Sequence, residues 1–158
     1  GYYKEAEQTD KALGADGWLR TGDAGWLDPD GLLVYAGRIK DMLKIGGENV
    51  AAVEIESFLV KHPKVKMTQV VAVADDRLVE VAAAFVELKS GETMTADELI
   101  AYCAGRIASY KIPRYVRFVT EWPMSATKIQ KFKLLESFTP TGKIDVASVL
   151  RRQPEASK

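Results

Sequence analysis

Three short segments concentrate the residue types that could do chemistry. Thr21-Gly22-Asp23 supplies a carboxylate, which can accept two hydrogen-bond donors at once. The run Gly37-Arg38-Ile39-Lys40-Asp41-Met42-Leu43-Lys44-Ile45-Gly46-Gly47-Glu48-Asn49-Val50 packs an arginine, two lysines, acids and a glycine pair together. Near the other end, Pro123-Met124-Ser125-Ala126-Thr127-Lys128-Ile129-Gln130-Lys131-Phe132 sets Lys128 in a polar loop. There a mobile ammonium could stabilise negative charge building up between an attacking oxygen and a phosphoryl group. Read singly, each feature also has a plain structural account. Asp23 suits a turn or cap, Arg38 a surface ion pair, Gly46-Gly47 a tight turn, and Lys128 a solvated surface.

The elements that must position these residues are short. Asp23 to Leu27 and Leu32 to Ala36 read as strands, joined by Asp28-Pro29-Asp30-Gly31, where Pro presets φ and Gly tolerates φ > 0. Such a two-stranded ribbon is marginal alone and needs cover. Before it, Thr9 could cap a short helix. Asp41 to Ile45 suits a strand that ends at the glycine pair. Val53 to Val60 reads as a helix burying Val53, Ile55, Phe58 and Leu59, and it stops before Pro63. Thr68 to Ala74 and Val81 to Leu88 are β-rich runs. Thr95-Ala96-Asp97-Glu98 has capping-box spacing and opens a helix with Leu99, Ile100, Cys103 and Ile107 at helical intervals. Tyr115 to Val119 alternates as a strand, and Phe132 to Phe138 suggests a closing helix. The segment 139–158 reads as a loosely held tail.

Composition narrows the function classes. Of 158 residues, 47% are apolar and 28% charged, which is ordinary for a soluble domain. Acidic and basic residues balance at 22 each, so no global field points to nucleic acid or an anionic membrane. No apolar run is long enough for a spanning helix. The opening Gly-Tyr-Tyr-Lys-Glu has neither a signal peptide's apolar stretch nor an initiating Met, and cytoplasmic residence is the expectation. The single cysteine, Cys103, excludes an internal disulfide and reads as core; no metal-ligand spacing appears. His62 before Pro63 fits a helix end, where its charge would meet exposed carbonyls. Trp18, Trp26 and Trp122 read as packing or interdomain contacts.

Taken together, the first two segments resemble the junction between the large and small domains of AMP-forming acyl-CoA synthetases, in the adenylate-forming superfamily. The third resembles that family's catalytic-lysine loop. The resemblance runs over roughly residues 1–138, within a boundary precision of a few residues. It implies an α+β fold with a small mixed sheet flanked by helices, preceded by a β-hairpin strip of the large domain. It also implies roles. Lys128 would be catalytic, with Lys131 as the fallback. Asp23 would accept hydrogen bonds from the ribose of ATP, and Arg38 would face the nucleotide. Lys40 would be the hinge, where one residue can absorb a large φ/ψ change. Lys44, Gly46, Gly47, Glu48 and Asn49 would line a pantetheine channel, the paired glycines letting a slim thiol arm pass close to backbone. Two departures stand out. The family usually has Gly directly before the lysine, where this chain has Thr127, so the loop is one residue shorter. It often has Pro shortly after Asn49, where Ala51-Ala52 stand here.

The organisation expected from this is residues 1–37 as a terminal strip of a large domain, 38–40 as hinge, 41–138 as a mobile small domain and 139–158 as tail. Residues 1–37 hold no Ser/Thr/Gly-rich phosphate loop and are too few to build an acyl pocket. The chain therefore reads as the back end of a larger enzyme, inactive alone, whose missing N-terminal domain is its partner. The full enzyme would activate a carboxylic acid, a fatty acid by preference, with ATP and Mg²⁺, then pass the acyl group to coenzyme A. Two rivals stand beside it: an adenylation domain that loads a carrier protein, and a catalytically silent binding module. Acyl-chain length and oligomeric state leave no mark in these residues.

Overall fold

Antiparallel pairing organises both units into which the chain divides in the computed structural model, Gly1–Lys40 and the residues from Asp41 onward; the structure describes residues 1–151. The first unit contains helix α1 (Ala6–Ala12) and the strands β1 (Asp23–Leu27) and β2 (Leu33–Arg38). Thr9 is not its cap. It lies inside α1, where its hydroxyl donates to the Glu5 carbonyl at 2.9 Å and accepts the Tyr2 N–H at 2.8 Å. Asp28 builds the hairpin turn, its Oδ1 accepting the N–H groups of Asp30 and Leu32 at 3.0 and 2.8 Å. The pairing slips at Ala24/Gly25 in a bulge, and a Cβ at Gly25 would stand 2.7 Å from the Val34 carbonyl oxygen. Trp26, Leu27, Leu33 and Tyr35 remain exposed on this ribbon.

The second unit begins with β3 (Met42–Ile45) and β4 (Glu48–Ala51), followed by α2 (Ala52–Leu59), β5 (Val65–Asp75), β6 (Val79–Leu88), α3 (Ala96–Cys103), β7 (Tyr115–Phe118), α4 (Lys131–Glu136) and α5 (Val146–Arg151). Its sheet runs β4-β3-β6-β5, with β7 joining β6 in parallel. Strand β4 adds to the expected elements. Gly46 and Gly47, at φ 59° and 93°, form a two-residue turn that folds Glu48 back onto Ile45. Helix α3 starts with the expected capping box, Thr95 and Glu98 each accepting the other's backbone N–H. Helix α2 starts one residue early and buries Ala52 with Ile55 and Leu59, while Val53 faces outward. No described helix is long and apolar enough to cross a membrane.

Two apolar clusters lie on alternate sides of β6, because successive side chains in a strand point to opposite faces. Ala82, Ala84 and Val86 join Leu43, Ile45, Val50, Ile55, Leu59, Leu99, Ile100 and Cys103. Val81, Ala83 and Phe85 join Val71, Val73, Tyr115 and Leu134, with Trp122, Ile129 and Phe138 packed at the margin. The tail departs from expectation over residues 139–151. Helix α5 buries Val146 and Val149 in the first cluster, and the Ile144 N–H donates to the Arg114 carbonyl at 2.7 Å. Arg117 grips the carbonyls of Thr139 and Thr141, and Lys143 pairs with Asp75. These two valines do not repeat over enough turns to signal a helix; burial decides the matter. Residues 152–158 of the expected tail lie outside the described residues.

Lys143 above all, with the Leu78 and Arg77 N–H groups, holds the Asp75 carboxyl down to about 2. A depressed carboxyl stabilises the fold above its unfolded pKa, ordinarily near 3.9, and that contribution fades as pH falls toward the folded value. Asp75→Asn should therefore be less stable than wild type at pH 6, with the gap closing between about pH 4 and pH 2. Urea midpoints across that range check it, and a constant gap would contradict the pair. Gly47→Ala should cost about 1–2 kcal/mol from backbone strain alone, since open space surrounds the added Cβ. Gly47→Asn should cost less, and equal melting of all three proteins would refute the strained turn.

Candidate functional site

In the first unit the ladder register sets Asp23 opposite Arg38, and the Arg38 Nε lies 3.1 Å from Asp23 Oδ1. Both side chains are substantially open to solvent. The Thr21 hydroxyl accepts the Asp23 N–H at 3.1 Å, and the Gly22 carbonyl accepts the Ile39 N–H at 2.9 Å. The two sequence candidates thus meet as a carboxylate–guanidinium pair. An exposed pair of this kind adds at most about 1 kcal/mol to stability. Its carboxylate keeps free acceptor capacity for a polyhydroxyl ligand. Lys40 is exposed in the short 3-10 turn Ile39–Asp41, at the end of the first unit.

In the second unit Lys44 faces Asn49, and Ile45 faces Glu48, across the glycine turn. Lys44, Gly46, Gly47, Glu48 and Asn49 are exposed except through their backbone. The Lys44 N–H donates to Glu80 Oε2 at 2.6 Å, and the Gly46 N–H to the Leu78 carbonyl at 2.8 Å. These bonds fix the turn against the start of β6. The glycines are required here by their positive φ, so the turn reading needs no ligand to explain it.

Lys128 sits in a closed loop on the second cluster's side of the sheet. Ile129 anchors the loop there, and Met124 bridges to Ile129. The Ser125 N–H and hydroxyl both donate to the Lys128 carbonyl, at 2.8 and 3.1 Å, and the Gln130 N–H donates to the Pro123 carbonyl at 2.8 Å. Neither Thr127 nor Lys128 takes a positive φ, so the loop closes without the glycine expected before the lysine. The Lys128 side chain is exposed, and its ammonium has no ion-pair partner among the described residues.

Lys131 is placed differently. Its ammonium lies 2.6 Å from Glu56 Oε1 and 3.4 Å from the Val70 carbonyl oxygen, and both charged side chains are mostly buried. Glu56 Oε1 also accepts the Val70 N–H at 2.7 Å. Of the two lysines, only Lys128 is free to meet a ligand. Sequence reasoning missed Glu56 and Glu87. The indole N–H of Trp122 donates to Glu87 Oε2 at 2.7 Å. Lys66, and after it Trp122, hold the Glu87 carboxyl below its usual range. Neither acid carries a local sequence signal, because each finds its partner only after the chain has folded.

Cys103 and His62 resolve as structure. Burial pushes the Cys103 thiol up to about 12, so it is an inert core residue. His62 corrects the expected charged helix end. Burial first, then the Lys64 charge, holds it below its ordinary value, and its Nδ1 accepts the Lys64 N–H at 3.2 Å. Trp18 and Trp26 are exposed. No group of three or more acids, His or Cys among the described residues is arranged to hold a metal ion.

The chain is similar to known proteins over most of its length. The family model of the AMP-binding enzyme C-terminal domain matches residues 54–128. The chain is 53% identical over 137 residues to the putative acyl-CoA synthetase YngI of Bacillus subtilis, covering 86% of this chain and 25% of that protein. It is 48% identical to the mitochondrial medium-chain acyl-CoA ligase ACSF2 of Bos taurus, over 86% of this chain and 22% of that one. Among solved structures, the amide bond synthetase McbA of Marinactinospora thermotolerans superposes with a TM-score of 0.78 at 34% identity, over 88% of this chain and 29% of McbA. The chain thus spans about a quarter of the length of the curated relatives it matches. With its mixed sheet and flanking helices, the second unit matches the C-terminal domain of AMP-binding enzymes over residues 54–128, and the chain's relatives include acyl-CoA synthetases.

Proposed function

We propose that this chain works as part of a longer enzyme that activates a carboxylic acid with ATP and passes the acyl group to coenzyme A. In the first half-reaction a carboxylate oxygen attacks the α-phosphorus of ATP, and the bond to pyrophosphate breaks. In the second, the thiol sulphur attacks the acyl carbonyl, loses its proton and expels AMP. The observation that carries this reading is the Lys128 ammonium, exposed and without an ion-pair partner among the described residues, on a loop whose backbone is closed by Ser125 and Pro123. Lys128 would stabilise charge on the phosphoryl oxygens in the first step. Asp23 would bind the ribose hydroxyls, and Arg38 would face the nucleotide. Lys40 would be the pivot between the two half-reactions, and Lys44 to Asn49 the passage for the pantetheine arm. Mg²⁺ would arrive with ATP.

Similarity to proteins named as acyl-CoA synthetase and medium-chain acyl-CoA ligase supports a fatty acid as substrate and coenzyme A as acceptor. Similarity to an amide bond synthetase keeps a second acceptor class in view. An assay that offers coenzyme A, a carrier-protein thiol and an amine to one preformed acyl-adenylate separates these acceptors. On its own, this chain is expected to be inactive.

In the enzyme that carries this chain, Lys128→Ala should slow acyl-adenylate formation about 100-fold or more. Thioester formation from supplied acyl-adenylate should keep its wild-type rate. Pyrophosphate exchange and single-turnover thiol transfer measure the two steps. Equal loss of both would rule out the assigned role.

A further inference from the structure

The Lys128 loop is pinned at both ends by half-buried acids that belong to other elements. Before it, Trp122 donates to Glu87 on β6 at 2.7 Å. After it, Lys131 pairs with Glu56 on α2 at 2.6 Å. Strand β5 pairs only with β6, which leaves its outer edge with unsatisfied backbone groups. At Val70 the Glu56 carboxylate takes the edge N–H, and the Lys131 ammonium reaches the edge carbonyl. A charge pair this well shielded has more directional force than an exposed one, and removing one member leaves the other uncompensated. Between the two clamps the only cation is Lys128.

We propose that Lys131–Glu56 and Trp122–Glu87 are positioning pairs, which hold the loop so that the Lys128 ammonium stands where charge develops during adenylation. The inference rests on the function proposed above and adds named residues to it. Neither pair touches substrate; both act through the placement of Lys128. A lysine on a flexible stem gains reach, but its Cα must be fixed for that reach to be reproducible. A misplacement of about 1 Å can cost as much as 100-fold in rate. Lys131 is therefore the anchor and Lys128 the reagent.

The test uses the enzyme that carries this chain, with Lys131→Met, Lys131→Arg and Trp122→Phe made in wild-type and Lys128→Ala backgrounds. Lys131→Met and Trp122→Phe should each slow acyl-adenylate formation about 10- to 100-fold, with KM for ATP little changed. Thioester formation from supplied acyl-adenylate should stay at its wild-type rate, and Lys131→Arg should recover most of the loss. In the Lys128→Ala background neither change should add a further loss, because residues that act through one group do not act additively. Losses that multiply with Lys128→Ala, or that fall equally on both half-reactions, overturn the positioning role. If Lys128→Ala itself leaves adenylation intact, the functional reading fails, and this inference fails with it. Should melting show that Lys131→Met does not fold, Glu56→Gln keeps an acceptor for Val70 and is judged by the same outcomes.

Discussion

Burial of both faces of β6 is the constraint on which the second unit depends. Its six buried residues, Val81 to Val86, alternate between two apolar clusters, so a shift of one residue in the pairing with β5 would exchange every partner. Ala82, Ala83 and Ala84 fall in the middle of the strand, where small side chains let α2 and α3 pack on one face and α4 on the other. Register therefore sets more than stability. It fixes which backbone groups of β5 point outward, and so where side chains must reach to satisfy them.

Those outward groups explain why two lysines three residues apart behave differently. Lys131 is drawn to the β5 edge by Glu56 and the Val70 carbonyl, and gives up its freedom there. Lys128 lies within the loop and pairs with no acid among the described residues. A buried ion pair is weak evidence for stability, because desolvation offsets much of the attraction. Its value here is directional. It ties α2 and α4 to the same point on the sheet edge.

Much of this was legible in the sequence, for identifiable reasons. The β1–β2 turn announced itself through Asp28-Pro29-Asp30-Gly31, and α3 through Thr95 and Glu98, because both signals are local. The meeting of Asp23 with Arg38 was not legible, because it depends on a register in which β2 runs two residues past its expected end at Ala36. Strand β4 was illegible, since Glu48-Asn49-Val50-Ala51 shows no clear alternation and pairs only because the glycine turn returns it to β3. Helix α5 was missed for a similar reason: its valines matter through what they cover. Thr9 misled because a hydroxyl can serve the backbone inside a helix as well as at its start. The clamps on the Lys128 loop join residues 35 and 75 positions apart, a distance no motif spans.

The two proposed working edges share one physical design. At the Lys128 loop, backbone hydrogen bonds and distant acids fix the chain, while the Lys128 side chain stays exposed and has no ion-pair partner among the described residues. At the glycine turn, ladder bonds and the Leu78 carbonyl fix the chain, and Gly46 and Gly47 themselves present only backbone. A solvated ammonium bears no desolvation cost until a substrate approaches, and it leaves no buried partner stranded when it withdraws. A paired lysine would have to break its ion pair in every catalytic cycle. For a unit proposed to present first one edge and then the other, rigidity therefore belongs in the backbone and freedom in the groups presented. The placement of Lys128 and Lys131 follows that rule: the lysine that holds is half-buried and paired, and the lysine that reaches is exposed.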